Sequence, residues 1–375
     1  MNITPTFTVD DRRHMVRALE LAARGLTTTH PNPRVGCVIA SGATVIAEGW
    51  HVRTGGPHAE VDALAKAGSG ARGATAYVTL EPCCHSGHTP PCTAALVAAG
   101  IRRVVYGAPD PNPRVNGGGE QALKAAGLEV SGGLLAAESE RLNLGFMHRM
   151  RRGWPLVRTK IAASLDGRTA LGDGRSQWLT GEAARDDVQR WRARSAAILT
   201  GVGTVLADDP ALNVREAGQP APVQPLRVIL DSRFRTPPEA RVLAKPGDVL
   251  LLGAGADVRR APLVARGVLV ETVSLDGGRV DLAAMLRRLG ELEINEVWVE
   301  AGPTLNGALL AAGLVDELLV YLAPSVLGTS ARGMFDMLPL TDLAARPEFR
   351  LQSVRHLGDD LRLIYTPQAP TGNPR

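Results

Sequence analysis

The chain lacks the long apolar segments that membrane insertion or secretion would need. A membrane-spanning helix takes about 20 mostly apolar residues, and a signal peptide takes an apolar core near the start of the chain; neither pattern is present. Aromatic residues make up only 4% of the 375 residues. This scarcity argues against the rows of stacking side chains that single-stranded nucleic-acid binders use. We therefore expect a cytoplasmic protein with no membrane and no nucleic-acid partner.

Lysine is also scarce. It occurs at four positions, and the remaining basic residues are arginine. The formal net charge of +4 suits small phosphate-bearing ligands but falls short of the charge of a polyanion-binding tail. In such a chain an arginine is weak evidence for a binding site, whereas a lysine such as Lys160 is an unusual choice.

Cysteine is limited to four residues, too few for the disulfide framework of a secreted protein. Three of the four lie within EPCCHSGHTPPC, residues 81–92, together with two histidines. In a reducing compartment a cluster of this composition more often binds a metal ion. Buried free thiols would be the alternative interpretation.

The length and the hydrophobic content of 45% predict two domains. Hydrophobic periodicity and turn residues predict the following elements in the first part of the chain: helices at 10–25, 58–67 and 92–99, and strands at 35–40, 44–52, 75–80 and 102–107, the first two as a hairpin. Alternating strands and helices indicate an α/β layer fold with a largely parallel sheet.

A polar, arginine-bearing helix from about 138 is expected to end at Gly153 and Pro155, which marks a domain boundary. The predicted domains are residues 1–153 and 154–367, followed by a flexible tail at 368–375. The same α/β pattern then recurs: strands at 156–163, 196–200, 226–231, 248–252, 294–300, 317–322 and 361–366, and helices at 182–194 and 305–312.

Residue types that bind metals occur at the predicted starts of helices. The segment Gly-Gly-Pro-His-Ala-Glu (55–60) opens one helix, Cys83 follows the strand at 75–80, and Cys92 opens another helix. The free N–H groups and the dipole of a helix N-terminus favour thiolates and other anions. These positions are therefore suited to hold a cation between ionised sulfurs.

The motif His-x-Glu followed by Pro-Cys-x-x-Cys is typical of zinc nucleobase deaminases, in which the glutamate moves protons without binding the metal. His58 and Glu60 match its first half, whereas eight residues separate Cys83 from Cys92. We predict His58, Cys83 and Cys92 as ligands of one Zn²⁺, and Glu60 as the catalytic acid and base.

The number of ligands distinguishes a catalytic zinc from a structural one. A catalytic zinc keeps about three protein ligands and one position for water, whereas a structural zinc has four protein ligands. Adjacent residues rarely bind the same tetrahedral ion, so Cys84 is predicted to be a neighbour of the site. If Cys84 or His85 were a fourth ligand, the zinc would instead stabilise an interaction protein without catalysis.

Two glycine-containing turns in the second half connect a predicted strand to a helix: AGPTLNGA at 301–308 and ILTGVGTVLADDP at 198–210. Such turns let the backbone approach a phosphate group at a helix N-terminus. Neither is the G-x-G-x-x-G dinucleotide motif, so each is a weak signal alone. Both could converge at neighbouring strand ends, where ligands bind in open α/β sheets.

The segments HAEVDAL, VTLEPCCHSGHTPPC and DPNPRVNGGG together resemble the N-terminal half of the bifunctional deaminase-reductase family of riboflavin biosynthesis, within the cytidine-deaminase-like superfamily. The longer spacing of Cys83 and Cys92 is what that family shows. The resemblance implies an α/β/α deaminase domain in which Asn32 contacts the pyrimidine. The family usually has arginine or lysine where this chain has His88, and a mostly neutral imidazole would bind a substrate phosphate weakly near pH 7.

The segments TKIAASLDGRTA, GRSQWLTG, RARSAAILTGVGTVLADDPALNVR, RVILDS and VWVEAGPTLNGALL resemble the reductase half of the same family, whose α/β fold is similar to dihydrofolate reductase. The resemblance implies contacts with NADPH at Ala162, Trp178, Thr204, Asp208, Ser232, Gly302, Pro303, Thr304, Leu305, Asn306, Gly307 and Ala308. It places the substrate at Ser176, Arg192, Leu212, Arg215 and Glu300, and Lys160 lies in the same matched motif. From the residues alone, Arg192 and Arg215 could equally be solvated surface residues, and Asp208 a turn cap.

The resemblance covers nearly the whole chain and implies two consecutive reactions. The first is hydrolytic deamination of 2,5-diamino-6-(5-phosphoribosylamino)pyrimidin-4-one, and the second is NADPH-dependent reduction of the ribose of 5-amino-6-(5-phosphoribosylamino)uracil. It also implies a homo-oligomer, either a dimer or a tetramer. The alternative is a tRNA-type zinc deaminase with a C-terminal binding module. That alternative predicts basic runs interleaved with aromatic residues, and the densest basic stretch, RMRR at 149–152, is short.

Overall fold

The computed structural model describes residues 6–85, 90–244, 246–254 and 257–368. It divides into two units, Met1–Trp154 and Pro155–Arg375; the boundary expected from the sequence lies between residues 153 and 154. His88 and residues 369–375 of the expected tail lie outside the described residues.

The elements of the first unit alternate between helices and strands, as the hydrophobic pattern predicts. In chain order they are α1 (Val9–Ala23), β1 (Gly36–Ser41), β2 (Thr44–Trp50), α2 (Ala59–Ala67), a 3₁₀ turn (Gly68–Ala71), β3 (Thr75–Leu80), α3 (Cys92–Ala98), β4 (Arg103–Ala108), α4 (Gly118–Ala125), β5 (Glu129–Gly132), α5 (Ala136–Leu142) and α6 (Leu144–Arg152).

The strands of the first unit form a sheet in the order β2-β1-β3-β4-β5. The hairpin of β1 and β2 is confirmed. The β3-β4 and β4-β5 pairs are parallel, whereas β1 is antiparallel to both of its neighbours, so the sheet is mixed rather than largely parallel. Because β3 and β4 are parallel, the loops that follow them leave the sheet at the same edge.

Helices cover both faces of this sheet. Successive residues of a strand point to opposite faces, and Val38 and Ile39 of β1 accordingly belong to two different buried clusters. Val38 packs in the cluster that contains Met15 and Leu21 of α1, whereas Ile39 packs in the cluster that contains Ala63 of α2. The first unit therefore has the three-layer α/β/α arrangement.

The prediction of a single helix from residue 138 to Gly153 is wrong: the structure has two helices, α5 and α6, which are separated at Asn143. The Asn143 side chain accepts a hydrogen bond from the Arg34 backbone N–H at 2.8 Å and donates one to the Arg34 carbonyl at 2.9 Å. Asn143 is only 1% exposed. An asparagine side chain that binds backbone in this way competes with helix geometry, so the break provides partners for the Arg34 backbone.

The second unit begins with a long strand, and shorter elements follow it. In chain order they are β6 (Leu156–Ser164), β7 (Arg168–Ala170), α7 (Glu182–Arg194), β8 (Ala197–Gly201), α8 (Val202–Asp208), β9 (Arg215–Glu216), β10 (Gln219–Pro220), β11 (Leu226–Leu230), α9 (Arg241–Ala244), β12 (Val249–Gly253), α10 (Asp257–Val264), β13 (Leu269–Thr272), β14 (Leu275–Asp276), β15 (Arg279–Val280), α11 (Leu282–Glu291), β16 (Glu296–Glu300), α12 (Pro303–Ala311), β17 (Glu317–Ala323), β18 (Arg332–Gly333), a 3₁₀ turn (Leu343–Ala345), β19 (Phe349–Leu357) and β20 (Asp360–Pro367).

The main sheet of the second unit has the order β13-β12-β11-β8-β16-β6-β17-β20-β19. All neighbours from β13 to β17 are parallel, which confirms the expected parallel sheet, and β20 and β19 add antiparallel strands at one side. Helix α12 begins two residues before the expected start, because Pro303 occupies its first turn, a position that proline favours.

None of the helices in the described ranges has both the length and the apolar composition that crossing a bilayer requires.

Replacing Asn143 with alanine should lower the free energy of unfolding of the first unit by about 3 kcal/mol, because a buried backbone N–H and carbonyl would each lose a partner. Urea unfolding of the full chain measures this change. Asn116→Ala is the control, since Asn116 is exposed, and an equal loss of stability in both variants would contradict the role of Asn143.

Candidate active sites

The three predicted metal ligands meet at one point of the first unit. His58 is the residue immediately before α2, Cys83 lies in the loop after β3, and Cys92 is the first residue of α3. Their ligand atoms all lie within 4.8 Å of one another. His58 Nδ1 is 3.2 Å from Cys92 Sγ and 3.6 Å from Cys83 Sγ, so Nδ1 is the ring nitrogen that faces both sulfurs.

The two sulfurs differ in how readily they ionise. The pKa of Cys83 is lowered to about 4 by hydrogen bonds from the Cys92 thiol, from His58 and from the Cys92 backbone N–H. The Cys92 backbone nitrogen lies 3.3 Å from Cys83 Sγ. The hydrogen bond that the Cys92 thiol donates to Cys83, together with burial and the negative charge of Glu60, in turn raises the pKa of Cys92. Both thiols can be ionised together only if a cation neutralises them. One histidine and two cysteines are ligands that Zn²⁺ prefers, so the residues fit a zinc ion.

Glu60 lies within the first turn of α2, two residues after His58, and is 4% exposed. Burial raises the pKa of Glu60 to about 7, and the negative charge of Cys83 contributes to the increase. A carboxyl group with a pKa near the working pH can both accept and donate a proton. Glu60 therefore has the position and the acidity expected of the proton-transferring residue.

The Cys84 side chain contacts a neighbouring loop. Its Sγ donates toward the Arg114 carbonyl at 3.6 Å, and neither Cys84 nor His85 belongs to the group of metal-type side chains found among the described residues. The loop that carries Arg114 is held in place by Glu81, whose buried carboxylate accepts hydrogen bonds from the backbone N–H groups of Asp110 and Gly117. Cys84 is thus a contact between two loops.

His51, which the sequence analysis missed, connects Asn32 to this site. Its Nδ1 donates to the Pro57 carbonyl at 2.9 Å, and its Nε2 lies 3.1 Å from Asn32 Nδ2. Burial lowers the pKa of His51 and favours the neutral ring. Nε2 of the neutral ring accepts a hydrogen bond from the Asn32 amide nitrogen. The Asn32 carbonyl oxygen is not part of this contact. The His51 ring also lies edge-on to His58, with centroids 5.5 Å apart. Its only signal in the sequence is its position directly after a strand.

In the second unit, the predicted residues come from several segments that end at one edge of the sheet. The glycine turn at 198–210 follows β8 and the glycine turn at 301–308 follows β16, and these two strands are parallel neighbours. The turns approach each other, because a Cβ added at Gly302 would lie 4.0 Å from Thr204 Oγ1. Ser232 follows β11, which is the other parallel neighbour of β8.

Glu300 and Arg192 form a half-buried ion pair at this edge. Arg192 Nε donates to Glu300 Oε1 at 2.5 Å, and a terminal guanidinium nitrogen donates to Oε2 at 2.8 Å. Lys160 is adjacent to Glu300 in the register between β6 and β16. Despite burial, Arg192 and Lys160 lower the pKa of Glu300 to about 2, whereas burial lowers the pKa of Lys160. The pairing of Arg192 shows that it is not a solvated surface residue.

Several of the implied cofactor and substrate residues have little side-chain surface free for a ligand. Leu212 is 3% exposed and packs in the core, so a ligand could meet only its backbone. The Ser232 hydroxyl already accepts a hydrogen bond from Val280 N–H at 3.1 Å. Asn306 is 2% exposed, and a Cβ at Gly307 would lie 2.1 Å from the Asp336 carbonyl oxygen. Asn306 and Gly307 therefore pack beneath the glycine turn at 301–308 and support it.

The remaining implied residues of the second unit are accessible. Trp178 is 72% exposed, with the Arg185 guanidinium 5.1 Å from its ring centroid. Seven of these residues are half-buried: Ala162, Ser176, Thr204, Gly302, Pro303, Leu305 and Ala308. Three others are exposed: Asp208, Arg215 and Thr304. Arg215 lies on the short β9-β10 hairpin.

Both halves of the chain match known protein families. Residues 8–108 match the family model described as the cytidine and deoxycytidylate deaminase zinc-binding region. Residues 155–363 match the model of the RibD C-terminal domain. The riboflavin biosynthesis protein RibD of Escherichia coli K12 is 50% identical over 365 residues, which cover 95% of this chain and 99% of that protein. The chain belongs to the RibD family.

Solved structures of the family agree in fold. Acinetobacter baumannii RibD is 47% identical with a TM-score of 0.89, and the match covers 96% of this chain and 99% of that one. A deaminase/reductase from Thermotoga maritima is 32% identical with a TM-score of 0.83, over 96% and 99% of the two chains. The predicted fold class and function are confirmed: the chain is a riboflavin-biosynthesis enzyme with a zinc-binding deaminase domain and an NADPH-dependent reductase domain.

Purified protein should contain close to one zinc ion per chain, as measured by elemental analysis. Replacing Cys92 with alanine should remove most of the zinc, because a site with two protein ligands binds the metal far more weakly. Cys84→Ala and Cys37→Ala are matched controls that should retain it. Loss of zinc from Cys84→Ala would instead indicate a closed, four-ligand structural site.

Proposed function

We propose that this chain catalyses two consecutive reactions on a pyrimidine ribosyl phosphate. The first domain deaminates 2,5-diamino-6-(5-phosphoribosylamino)pyrimidin-4-one by hydrolysis. The second domain uses NADPH to reduce the ribose of 5-amino-6-(5-phosphoribosylamino)uracil to the ribityl form. The observation that carries the proposal is the likeness over both domains to the Thermotoga maritima protein, whose name states a deaminase and a reductase of these pyrimidines.

In the deaminase site, His58, Cys83 and Cys92 would hold the zinc ion, which supplies Lewis acidity there. Glu60 takes a proton from the attacking water as the C–O bond forms. It then returns a proton to the departing amino group, which leaves as ammonia. A buried carboxyl group with a pKa of about 7 is suited to both steps. Product formation thus depends on one side chain that changes its protonation state twice.

Asn32 is proposed to orient the pyrimidine in this site. One of its two amide N–H groups is directed at His51 Nε2, which fixes the orientation of the amide, and its carbonyl oxygen can then accept a hydrogen bond from a ring N–H or amino group of the substrate. This fixed orientation would favour a pyrimidine that presents a donor there.

In the reductase site, NADPH supplies the hydride, and the residues of the chain position the ribose against it. The glycine turns after β8 and β16 offer helix N-termini for the phosphates of the cofactor. Glu300, Arg192 and Lys160 lie together at the same sheet edge. The Glu300 carboxylate can accept from ribose hydroxyls, whereas the Lys160 ammonium can donate to them. Arg215, which is exposed, is proposed to bind the substrate phosphate.

The assay that tests the whole proposal uses the pyrimidine substrate with and without NADPH. Without NADPH the wild-type enzyme should stop at the deaminated product, and with NADPH it should continue to the ribityl form. Glu60→Gln should abolish deamination with zinc content unchanged, yet it should still reduce added deaminated substrate. Wild-type levels of deamination by Glu60→Gln would remove Glu60 from the mechanism, and no turnover by the wild-type enzyme would refute the proposal.

Replacing Arg215 with alanine should raise the reductase KM for the phosphorylated substrate by about tenfold, because a charge-assisted contact with the phosphate is lost. The KM for NADPH should stay unchanged in steady-state assays. Arg259→Ala is the control, since Arg259 is also exposed but lies on helix α10 and not on the β9-β10 hairpin. Equal increases in both KM values would argue against a substrate role for Arg215.

A further inference from the structure

Trp298 lies two residues before Glu300 on β16, so both side chains point to the same face of the sheet. Trp298 is 0% exposed, and its indole Nε1–H donates to Glu300 Oε1 at 2.8 Å. A buried indole N–H requires an acceptor, and one that is left without a partner carries a substantial cost. The tryptophan and the glutamate therefore constrain each other.

The hydrogen bonds to Glu300 come from two directions. Oε1 accepts from both Trp298 Nε1 and Arg192 Nε, whereas Oε2 accepts from the terminal nitrogen of Arg192. A carboxylate offers about four lone-pair positions, so these three bonds leave an open position on Oε2. The Arg192 guanidinium is itself anchored by a hydrogen bond to the Asn213 carbonyl at 3.0 Å, and the indole N–H adds a second donor, on the same strand as Glu300, that fixes the orientation of the carboxylate.

The Trp298 ring is itself held firmly. Trp191 of α7 stacks on it with centroids 5.6 Å apart and an interplanar angle of 6°. Three guanidinium groups surround the Trp191 ring at 4.7 to 5.6 Å from its centroid, and they belong to Arg158, Arg194 and Arg362. Because Trp191 and Arg192 are consecutive on α7, one helix fixes both the ring and the guanidinium that meet Glu300.

We infer that Trp298 is a positioning residue of the reductase, whose indole N–H orients the Glu300 carboxylate toward the ribosyl phosphate substrate. The inference rests on the proposed role of Glu300 in binding that substrate. Trp298 is fully buried and acts through Glu300. Its contribution is specific to the substrate and does not extend to NADPH.

A merely structural role for Trp298 would produce a different kinetic result. A destabilised variant contains less folded enzyme, which lowers the apparent kcat but leaves both KM values unchanged. Loss of orientation at Glu300 raises the KM for the substrate alone, because a ground-state contact weakens in every folded molecule. The ratio of the two KM values therefore separates the roles.

The test uses full-length zinc-loaded enzyme with Trp298→Phe, which keeps an aromatic ring but removes the N–H. The expected result is an increase of about tenfold in the KM for 5-amino-6-(5-phosphoribosylamino)uracil, as the loss of one hydrogen bond to a charged group would produce, with the KM for NADPH unchanged. Tyr321→Phe is the matched control: Tyr321 is also fully buried in the same core cluster, and its hydroxyl donates to Asp187 instead of Glu300. Loss of this buried hydroxyl should lower the melting temperature with little change in either KM.

Glu300→Gln provides the reference, and it should raise the same substrate KM. If Glu300→Gln raises it but Trp298→Phe does not, or if Tyr321→Phe raises it equally, the inference about Trp298 is wrong and the proposed function stands. If Glu300→Gln leaves the substrate KM unchanged, the proposed role of Glu300 fails and the inference fails with it.

Discussion

Parallel pairing of adjacent strands is the constraint on which both sites depend. Inside a sheet the backbone groups are paired with neighbouring strands, so functional loops can begin only where strands end. Parallel strands end at the same edge, and their loops converge there. The loop with Cys83 and the loop held by Glu81 meet after β3 and β4 in this way. The two glycine turns meet after β8 and β16 for the same reason.

Neighbouring charges shift the pKa values of the two site carboxyl groups in opposite directions. In the deaminase site, two sulfurs and a carboxyl group lie close together with one histidine, and burial raises the pKa of Glu60. In the reductase site, the carboxylate of Glu300 is matched by Arg192 and Lys160, so its pKa falls to about 2 although desolvation of this half-buried group acts in the other direction. One site is poised to exchange a proton, whereas the other holds a permanent negative charge.

The grouping of His58, Cys83 and Cys92 beside Glu60 could be predicted from the sequence because each residue lies within a short motif next to a strand or helix end. His51 could not, since its role depends on the side chain of Asn32, which lies on another loop. The bond between Trp298 and Glu300 depends on which face of β16 is buried, and composition does not show this. The break at Asn143 was missed because its cause is a contact with Arg34, 109 positions away in the chain.

That long-range contact sets a lower limit on the length of a separately expressed deaminase. The Arg34 backbone, two residues after Asn32, obtains its hydrogen-bond partners from Asn143, and the zinc-binding region matched by the family model ends at residue 108. A fragment cut at the end of that matched region would retain His58, Cys83 and Cys92. It would nevertheless lose the residue that anchors the loop of Asn32, so the catalytic unit is longer than the metal-binding one.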